Sequence, residues 1–154
     1  MIPNFLKEFP NLHPLIVHFP IVLLLVAFVV QLAVLFFLKN YQFKWITFLL
    51  LLSGCIGTYI AIQTSVHISG DADDKAIEIF EAHQRFGTLT FWFSLAATII
   101  RFVTLKWVNK FYLELILTVL LLTISVFVTI TGHHGAQLVH IYDVGPKGNY
   151  VMSK

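Results

Sequence analysis

Histidine is the residue type in this sequence that offers the most chemistry. The chain carries seven histidines, and the neutral imidazole is a common ligand for metal ions and for haem iron. They are His13, His18, His67, His83, His133, His134 and His140. The single cysteine, Cys55, gives neither a disulfide framework nor a CxxCH attachment site for c-type haem. The sequence therefore directs attention to a non-covalent site built from imidazoles.

The apolar segments between these histidines indicate that the chain crosses a membrane. Hydrophobic residues make up 58% of the sequence and charged residues 12%, whereas soluble domains carry about 25% charged residues. A helix crosses the hydrocarbon core with about 20 apolar residues. Four segments meet that requirement, at residues 15–38, 45–66, 86–105 and 111–131. We expect one all-α domain over residues 1–154 in a lipid bilayer, and the net charge of +2 gives no reason to expect a nucleic-acid partner.

The short connections between predicted helices one and two and between three and four imply antiparallel neighbours. We therefore predict an up-down-up-down four-helix bundle, with both termini, the 67–82 loop and all seven histidines on one side of the membrane. The other side, which we call the link side, holds the two short connections. Basic residues are concentrated there near the helix ends: Lys39, Lys44, Arg101, Lys106 and Lys110. Because basic residues favour the cytoplasm, we expect the termini and the 67–82 loop outside.

The segment 71–86 has the pattern of an amphipathic helix. Ala76, Ile77, Phe80 and His83 recur at helical spacing among charged residues. We predict a short amphipathic helix before helix three, which either lies at the membrane interface or extends helix three outward. No internal repeat is evident in the sequence.

The depth of His18 makes it the first candidate ligand. It follows His13 by five residues, about 7 Å at a rise of 1.5 Å per residue, and so enters the apolar region, where an ionisable group is a functional hypothesis by default. Helices one and three are diagonal in a simple bundle. We therefore expect His18 and His83 to face each other across its interior, and His133 to form a second pair with either His13 or His67.

Three further residues complete the predictions. Gly87 lies one turn from His83 and would let a flat macrocycle, or another helix, approach closely. Arg85 could pair with a haem propionate, although a lipid phosphate or Glu81 would serve equally well. Near the link side, we expect Arg101 to pair with Glu114.

Two stretches of the sequence resemble motifs of a known family. Pro10-Asn11-Leu12-His13-Pro14-Leu15-Ile16-Val17-His18-Phe19-Pro20 resembles the opening signature of a widespread bacterial family of predicted four-helix membrane proteins of unknown function. Thr131-Gly132-His133-His134-Gly135-Ala136 resembles the closing signature of that family, and Glu81-Ala82-His83 its Glu-x-His motif. Ala136 replaces a glycine of the family pattern, and His140 stands where a tyrosine is common. The motifs carry His13, His18, His83 and His133.

The resemblance implies a four-helix membrane fold and a redox association, because some relatives look as though they are joined to, or encoded with, cytochrome c-type domains. The leading hypothesis is a b-type haem protein of the bacterial inner membrane, with its termini and the 67–82 loop in the periplasm. It would transfer electrons near the outer face as a subunit of a larger redox complex, with a partner such as a c-type cytochrome, and would be a carrier rather than a stand-alone enzyme. The haem iron would be ligated by His18 with His83 and, for a second haem, by His13 with His133.

Two alternatives remain open from the sequence. The same histidines could build a zinc or copper site. The chain could also be a structural membrane subunit without a cofactor.

Overall fold

Four long helices account for most of the part of the chain that the computed structural model describes, which is residues 13–37, 41–65, 67–107, 110–144 and 151–152. The helices are α1 (His13–Phe36), α2 (Tyr41–Gln63), α3 (Asp74–Lys106) and α4 (Phe111–His140). Two strands of two residues each, β1 (His67–Ile68) and β2 (Val151–Met152), pair antiparallel. Residues 10–12 of the opening motif, Val66 of predicted span two, and Leu38 and Lys39 lie outside the described residues.

Each of the four helices is long and apolar enough to cross a membrane, so the predicted all-α membrane bundle is confirmed. The helix bounds differ from the predicted spans mainly at α3 and α4. α3 begins at Asp74 rather than residue 86, and α4 continues to His140 rather than ending at residue 131. These extensions are polar, so a criterion based on apolar length does not count them. The 33 residues of α3 span about 50 Å, well beyond a hydrocarbon core of about 30 Å.

The helices pack in ring order, with each helix contacting its neighbours in sequence and α1 closing the ring against α4. α1 and α3 are therefore diagonal, as predicted. The core contains Leu24, Leu51, Ala97 and Leu121. Gly54 sets the close approach of α2 to α1, because a Cβ there would lie 2.7 Å from a methyl carbon of Leu24.

The amphipathic segment is continuous with α3, which decides between the two alternatives for it. The Asp73 side chain caps the helix by accepting from the Lys75 backbone N–H at 2.8 Å. Ala76 is buried against Leu138 and Val144. These three residues, with Ile68, Ile79, Phe80 and Tyr142 packed around them, form a second small core, the outer cluster.

The two helical hairpins repeat each other in register. α1 ends at Phe36 and α2 begins at Tyr41; 70 residues later, α3 ends at Lys106 and α4 begins at Phe111. The expectation of no internal repeat therefore holds for residue identities but not for the structure. Equivalent positions share burial while their side chains differ, so comparing residue types does not reveal the repeat.

A buried polar cluster joins all four helices near the link side. The guanidinium of Arg101, which is fully buried, donates to both carboxylate oxygens of Glu114 at 3.1 and 2.9 Å, so the predicted pair is confirmed. Lys44 Nζ lies 2.8 Å from the same carboxylate. Gln31 donates to Glu114 at 3.2 Å and accepts from Arg101. We call Gln31, Lys44, Arg101 and Glu114 the link-side cluster.

Candidate functional site

A cavity of about 640 Å³ lies inside the bundle at the end opposite the link-side cluster. All four helices and β1 line it. Its volume is typical of cavities that hold a small molecule or a cofactor, about 300–1,000 Å³. Five histidines line its wall, and we therefore call it the histidine cavity: His13, His18, His67, His83 and His140.

The rings of His13 and His83 face each other across the bundle. Their centroids are 6.2 Å apart and their planes are inclined at 75°. His13 begins α1, and His83 lies on the diagonal helix α3. The contact therefore bridges the bundle axis, inside a cavity whose wall includes residues of all four helices.

Backbone carbonyls orient both rings. Nδ1 of His13 lies 2.9 Å from the carbonyl oxygen of Ala61 on α2, and Nδ1 of His83 lies 2.9 Å from that of Thr131 on α4. Because a carbonyl oxygen only accepts, each Nδ1 carries the proton and donates it. In a neutral imidazole of this tautomer, Nε2 carries the lone pair that binds a metal. Histidines that ligate metals characteristically donate their other ring N–H in this way.

His18 lines the cavity, but its ring is not the partner of His83. It is exposed, and its Nδ1 donates to the carbonyl of Pro14 at 2.6 Å. The reason is helical geometry, since five residues at 3.6 per turn rotate His18 by about 140° from His13. When the ring of His13 points at the diagonal helix, that of His18 cannot.

His133 lies outside the cavity lining and is exposed, so the structure does not bring it together with His13. Its ring contacts that of His134, with centroids 6.2 Å apart. His133 follows Thr131 by two residues, about 200° around the helix. Because the Thr131 carbonyl faces His83, His133 falls on the other side of α4. The structure thus brings together the rings of His13 and His83, rather than those of His18 and His83 or of His13 and His133.

Of the two predicted site residues that are not histidines, one lines the cavity and the other does not. Gly87 lines the cavity, and a Cβ there would meet no atom within 4 Å, so it borders open space. Arg85 is exposed and is not part of the described lining. Gly135 lies against the His83 ring, because a Cβ there would lie 3.3 Å from Cε1 of His83. Its missing side chain makes room for the His83 ring.

His67 and His140 line the cavity, although the sequence analysis did not single them out as ligands. His67 lies in β1, shortly after the end of α2, and His140 is the last residue of α4. The available signal was their position at or shortly after a helix end on the histidine-bearing side. Position near a helix end does not reveal whether the side chain points into the bundle or into solvent.

The inner part of the cavity wall is mainly apolar, whereas the outer part combines polar and apolar residues. The deepest lining residues include Ile21, Leu24 and Val128, whereas Ser65 and Gln84 line it together with the outer histidines. The outer cluster supplies Ile68, Phe80, Leu138 and Val144 to the same wall. A ligand with one polar edge would therefore lie with that edge outward.

In the described part of the chain, no three His, Cys, Asp or Glu side chains are close enough together to hold a metal ion. The site therefore offers two opposed imidazoles rather than a cage of three or four protein ligands. A planar group that supplies the remaining ligands itself matches this arrangement, because haem leaves only the two axial positions to the protein.

The comparison with protein families gives a match over residues 10–148, to a family described as predicted membrane protein (DUF2231). The chain belongs to this family. The DUF2231 description agrees with the four candidate spans and assigns no activity. Neither the curated proteins nor the solved structures contain a match to the chain.

Proposed function

We propose that this DUF2231 protein is a membrane-bound b-type haem protein, with His13 and His83 as the two axial ligands of the haem iron. The observation that carries the proposal is the ring pair across the bundle axis, inside a cavity lined by all four helices. Bundles build cofactor sites in this way, from inward side chains on facing helices.

The spacing of the two rings fits ligation of one metal from opposite sides. Two metal–nitrogen bonds of about 2.0 Å each, together with the distance from each nitrogen to its ring centre, place the two centroids about 6 Å apart. The centroids of His13 and His83 lie 6.2 Å apart. Direct packing of two rings without a metal also occurs near this distance, so the argument needs the surrounding residues as well.

The surroundings of the pair support a cofactor over simple packing. Both rings carry the second hydrogen bond expected of ligands. The walls beside them include Gly87, Gly132, Gly135 and Ala136, whose small side chains leave width for a flat macrocycle. The absence of a three-ligand group from the described residues favours haem over zinc or copper, which take three or four protein ligands.

Two histidine ligands fill both axial positions of haem iron and leave none for a substrate. Electron transfer is therefore the function that this site supports best. The cavity lies near one face of the bilayer, so a single haem there does not connect the two faces. We propose that the protein passes electrons to or from a partner at that face, as a subunit of a larger redox complex or with a c-type cytochrome.

We further propose that this face is the periplasmic face of a bacterial inner membrane. Basic residues near the helix ends on the link side favour the cytoplasm for that side. Lys44, Arg101 and Lys106 lie there, at the opposite end of the bundle from the histidine cavity. The termini and the 67–82 loop would then be periplasmic.

Four single variants test the ligand assignment. In His13→Ala and in His83→Ala, we expect the bis-histidine haem spectrum to be lost or converted to that of a five-coordinate haem. In His133→Ala, we expect it to persist unchanged, because this side chain is exposed and lies outside the cavity lining. In His18→Ala, we expect bis-histidine ligation to persist with at most a small shift of the bands, because His18 lines the cavity but its Nδ1 bonds the Pro14 carbonyl. The measurement is the absorption spectrum of detergent-purified protein, oxidised and reduced.

The outcome that would contradict the assignment is a normal bis-histidine spectrum in both His13→Ala and His83→Ala. Elemental analysis of the same samples distinguishes between the two alternative functions. Stoichiometric zinc or copper without haem would indicate a metal site, and neither metal nor haem would indicate a structural subunit.

A further inference from the structure

We infer that the histidine cavity is a two-fold site, built from two equivalent half-sites that the hairpins α1–α2 and α3–α4 each supply. The pseudo-two-fold axis runs along the bundle and passes between His13 and His83. This goes beyond the proposed function, since it holds for any ligand of the cavity. Its consequence for haem, given below, rests on the proposed function.

The burial pattern repeats with a shift of 70 residues. Five residues of α1 are buried, and each has a buried counterpart 70 positions later in α3: Pro20 and Thr90, Leu24 and Ser94, Ala27 and Ala97, Gln31 and Arg101, Val34 and Thr104. In α4, the buried residues from Glu114 to Val128 have buried counterparts in α2. Any up-down bundle has approximate two-fold symmetry, but this one keeps an identical register over both helices of each hairpin.

The hydrogen bonds of the site repeat in the same register. His13 donates to the carbonyl of the residue 48 positions later, and His83 does the same. Both distances are 2.9 Å. Since His83 and Thr131 are the counterparts of His13 and Ala61, each hairpin holds one imidazole by the same backbone contact.

The cavity wall repeats as well. His13, Pro14 and Val17 line it from α1, and their counterparts His83, Gln84 and Gly87 line it from α3. From the other two helices, Thr58 and Ala61 have the lining counterparts Val128 and Thr131. The side chains differ at most of these pairs, yet each pair reaches the same cavity. The two half-sites are therefore equivalent in position although not in composition.

The link-side cluster shows the same relation at the other end of the bundle. Gln31 and Arg101 are counterparts, as are Lys44 and Glu114, and the four side chains meet in one network. Counterparts can meet only near the axis that relates them. The axis is thus located at both ends of the bundle, by the ring pair and by the link-side cluster.

A site of this symmetry suits a flat group that is ligated equivalently on its two faces. If haem were held between His13 and His83, the axis would lie in the plane of the macrocycle, and a half-turn about it would exchange the two faces while keeping the propionate edge outward. We therefore expect haem to occupy two orientations related by this half-turn. Differences between counterparts, such as Val17 against Gly87, set the ratio of the two.

Distances between spin labels test the symmetry without any ligand. On a Cys55→Ser background, one protein carries cysteines at Val22 and Val126, on α1 and α4. The other carries them at Trp92 and Ile56, on α3 and α2, which are the counterparts. All four side chains are exposed and lie near the depth of the cavity. We expect the two distance distributions, measured by pulsed electron paramagnetic resonance, to coincide.

Mean distances that differ by more than one helical turn, about 5 Å, would overturn the inference. A second measurement uses the haem-loaded protein, whose oxidised form should give two sets of shifted haem methyl resonances in the proton NMR spectrum. The spin-label distances could match while the spectrum shows only one set of haem methyl resonances. That result would show that individual side chains fix the ligand orientation, and it would overturn the equivalence of the half-sites. A protein that binds no haem but has matching distances would refute the proposed function alone.

Discussion

The backbone acceptors of His13 and His83 determine what the site can do. An imidazole at a membrane-helix end can face lipid headgroups, water or a cofactor. Here the carbonyls of Ala61 and Thr131 hold both rings toward the bundle axis and fix the same tautomer in each. Because the acceptors are main-chain carbonyl oxygens, they cannot be predicted from the residue types in the sequence.

Gly135 gives a sharp test of how closely the His83 ring is confined. In Gly135→Ala, the new methyl would lie 3.3 Å from Cε1 of His83, so the ring must shift. We expect haem affinity to fall about tenfold, equal to about 1.4 kcal/mol, measured by competition with an apo-haem acceptor protein. His133→Ala is the control on the same helix, because His133 is exposed and lies outside the cavity lining. Equal affinities in the two variants would refute the steric role of Gly135.

The sequence predicted the helices better than their rotation. Apolar length alone locates four spans, and short connections give their order. It does not give the rotation of each helix about its axis, which depends on close packing such as that of Gly57 against the Pro20 ring. Rotation decides that His13, rather than His18, meets His83. Both residues of this ring pair were among the four candidates, but the sequence did not predict that they would meet each other.

The link-side cluster fixes how the four helices sit against one another at the end remote from the cavity. Charges in the membrane interior are tolerated when they are paired, and leaving one unpaired is strongly destabilising. The Arg101–Glu114 pair joins α3 to α4, Lys44 adds α2, and Gln31 adds α1. We interpret the cluster as a device that sets the register of the bundle.

In Glu114→Gln, Arg101 and Lys44 would lose their shared carboxylate. We expect the free energy of unfolding to fall by about 3–5 kcal/mol, measured by thermal or denaturant unfolding in detergent micelles. Arg85→Gln removes a charge from an exposed position and should change stability by about 0.5 kcal/mol or less. If Glu114→Gln is as stable as Arg85→Gln, the cluster does not hold the bundle together.

The two ends of the molecule differ: the link side holds buried ion pairs, and the opposite end holds the histidine cavity. Its outer surface within the spans is apolar, with side chains such as Phe19, Val29 and Ile99 exposed. The outer cluster and the polar lining residues cover the cavity end. Under the proposed function, electron exchange with a partner would take place at that end.

Labelling from one side of the membrane tests the proposed orientation. On the Cys55→Ser background, a cysteine at Asp74 lies at the start of α3 and one at Lys110 lies at the link side, and both positions are exposed. In intact cells, a membrane-impermeant maleimide should label the Asp74→Cys variant and should label Lys110→Cys only after lysis. The reverse pattern would place the histidine cavity at the cytoplasmic face.

The absorption spectrum of the purified protein, together with its haem content per chain, tests the central claim most directly. The paired rings of His13 and His83 predict one haem b per chain, with a Soret band and a sharp alpha-band on reduction, both typical of bis-histidine ligation. A protein that is folded and helical yet lacks both bands, and takes up no haem when haem is added, would contradict the account.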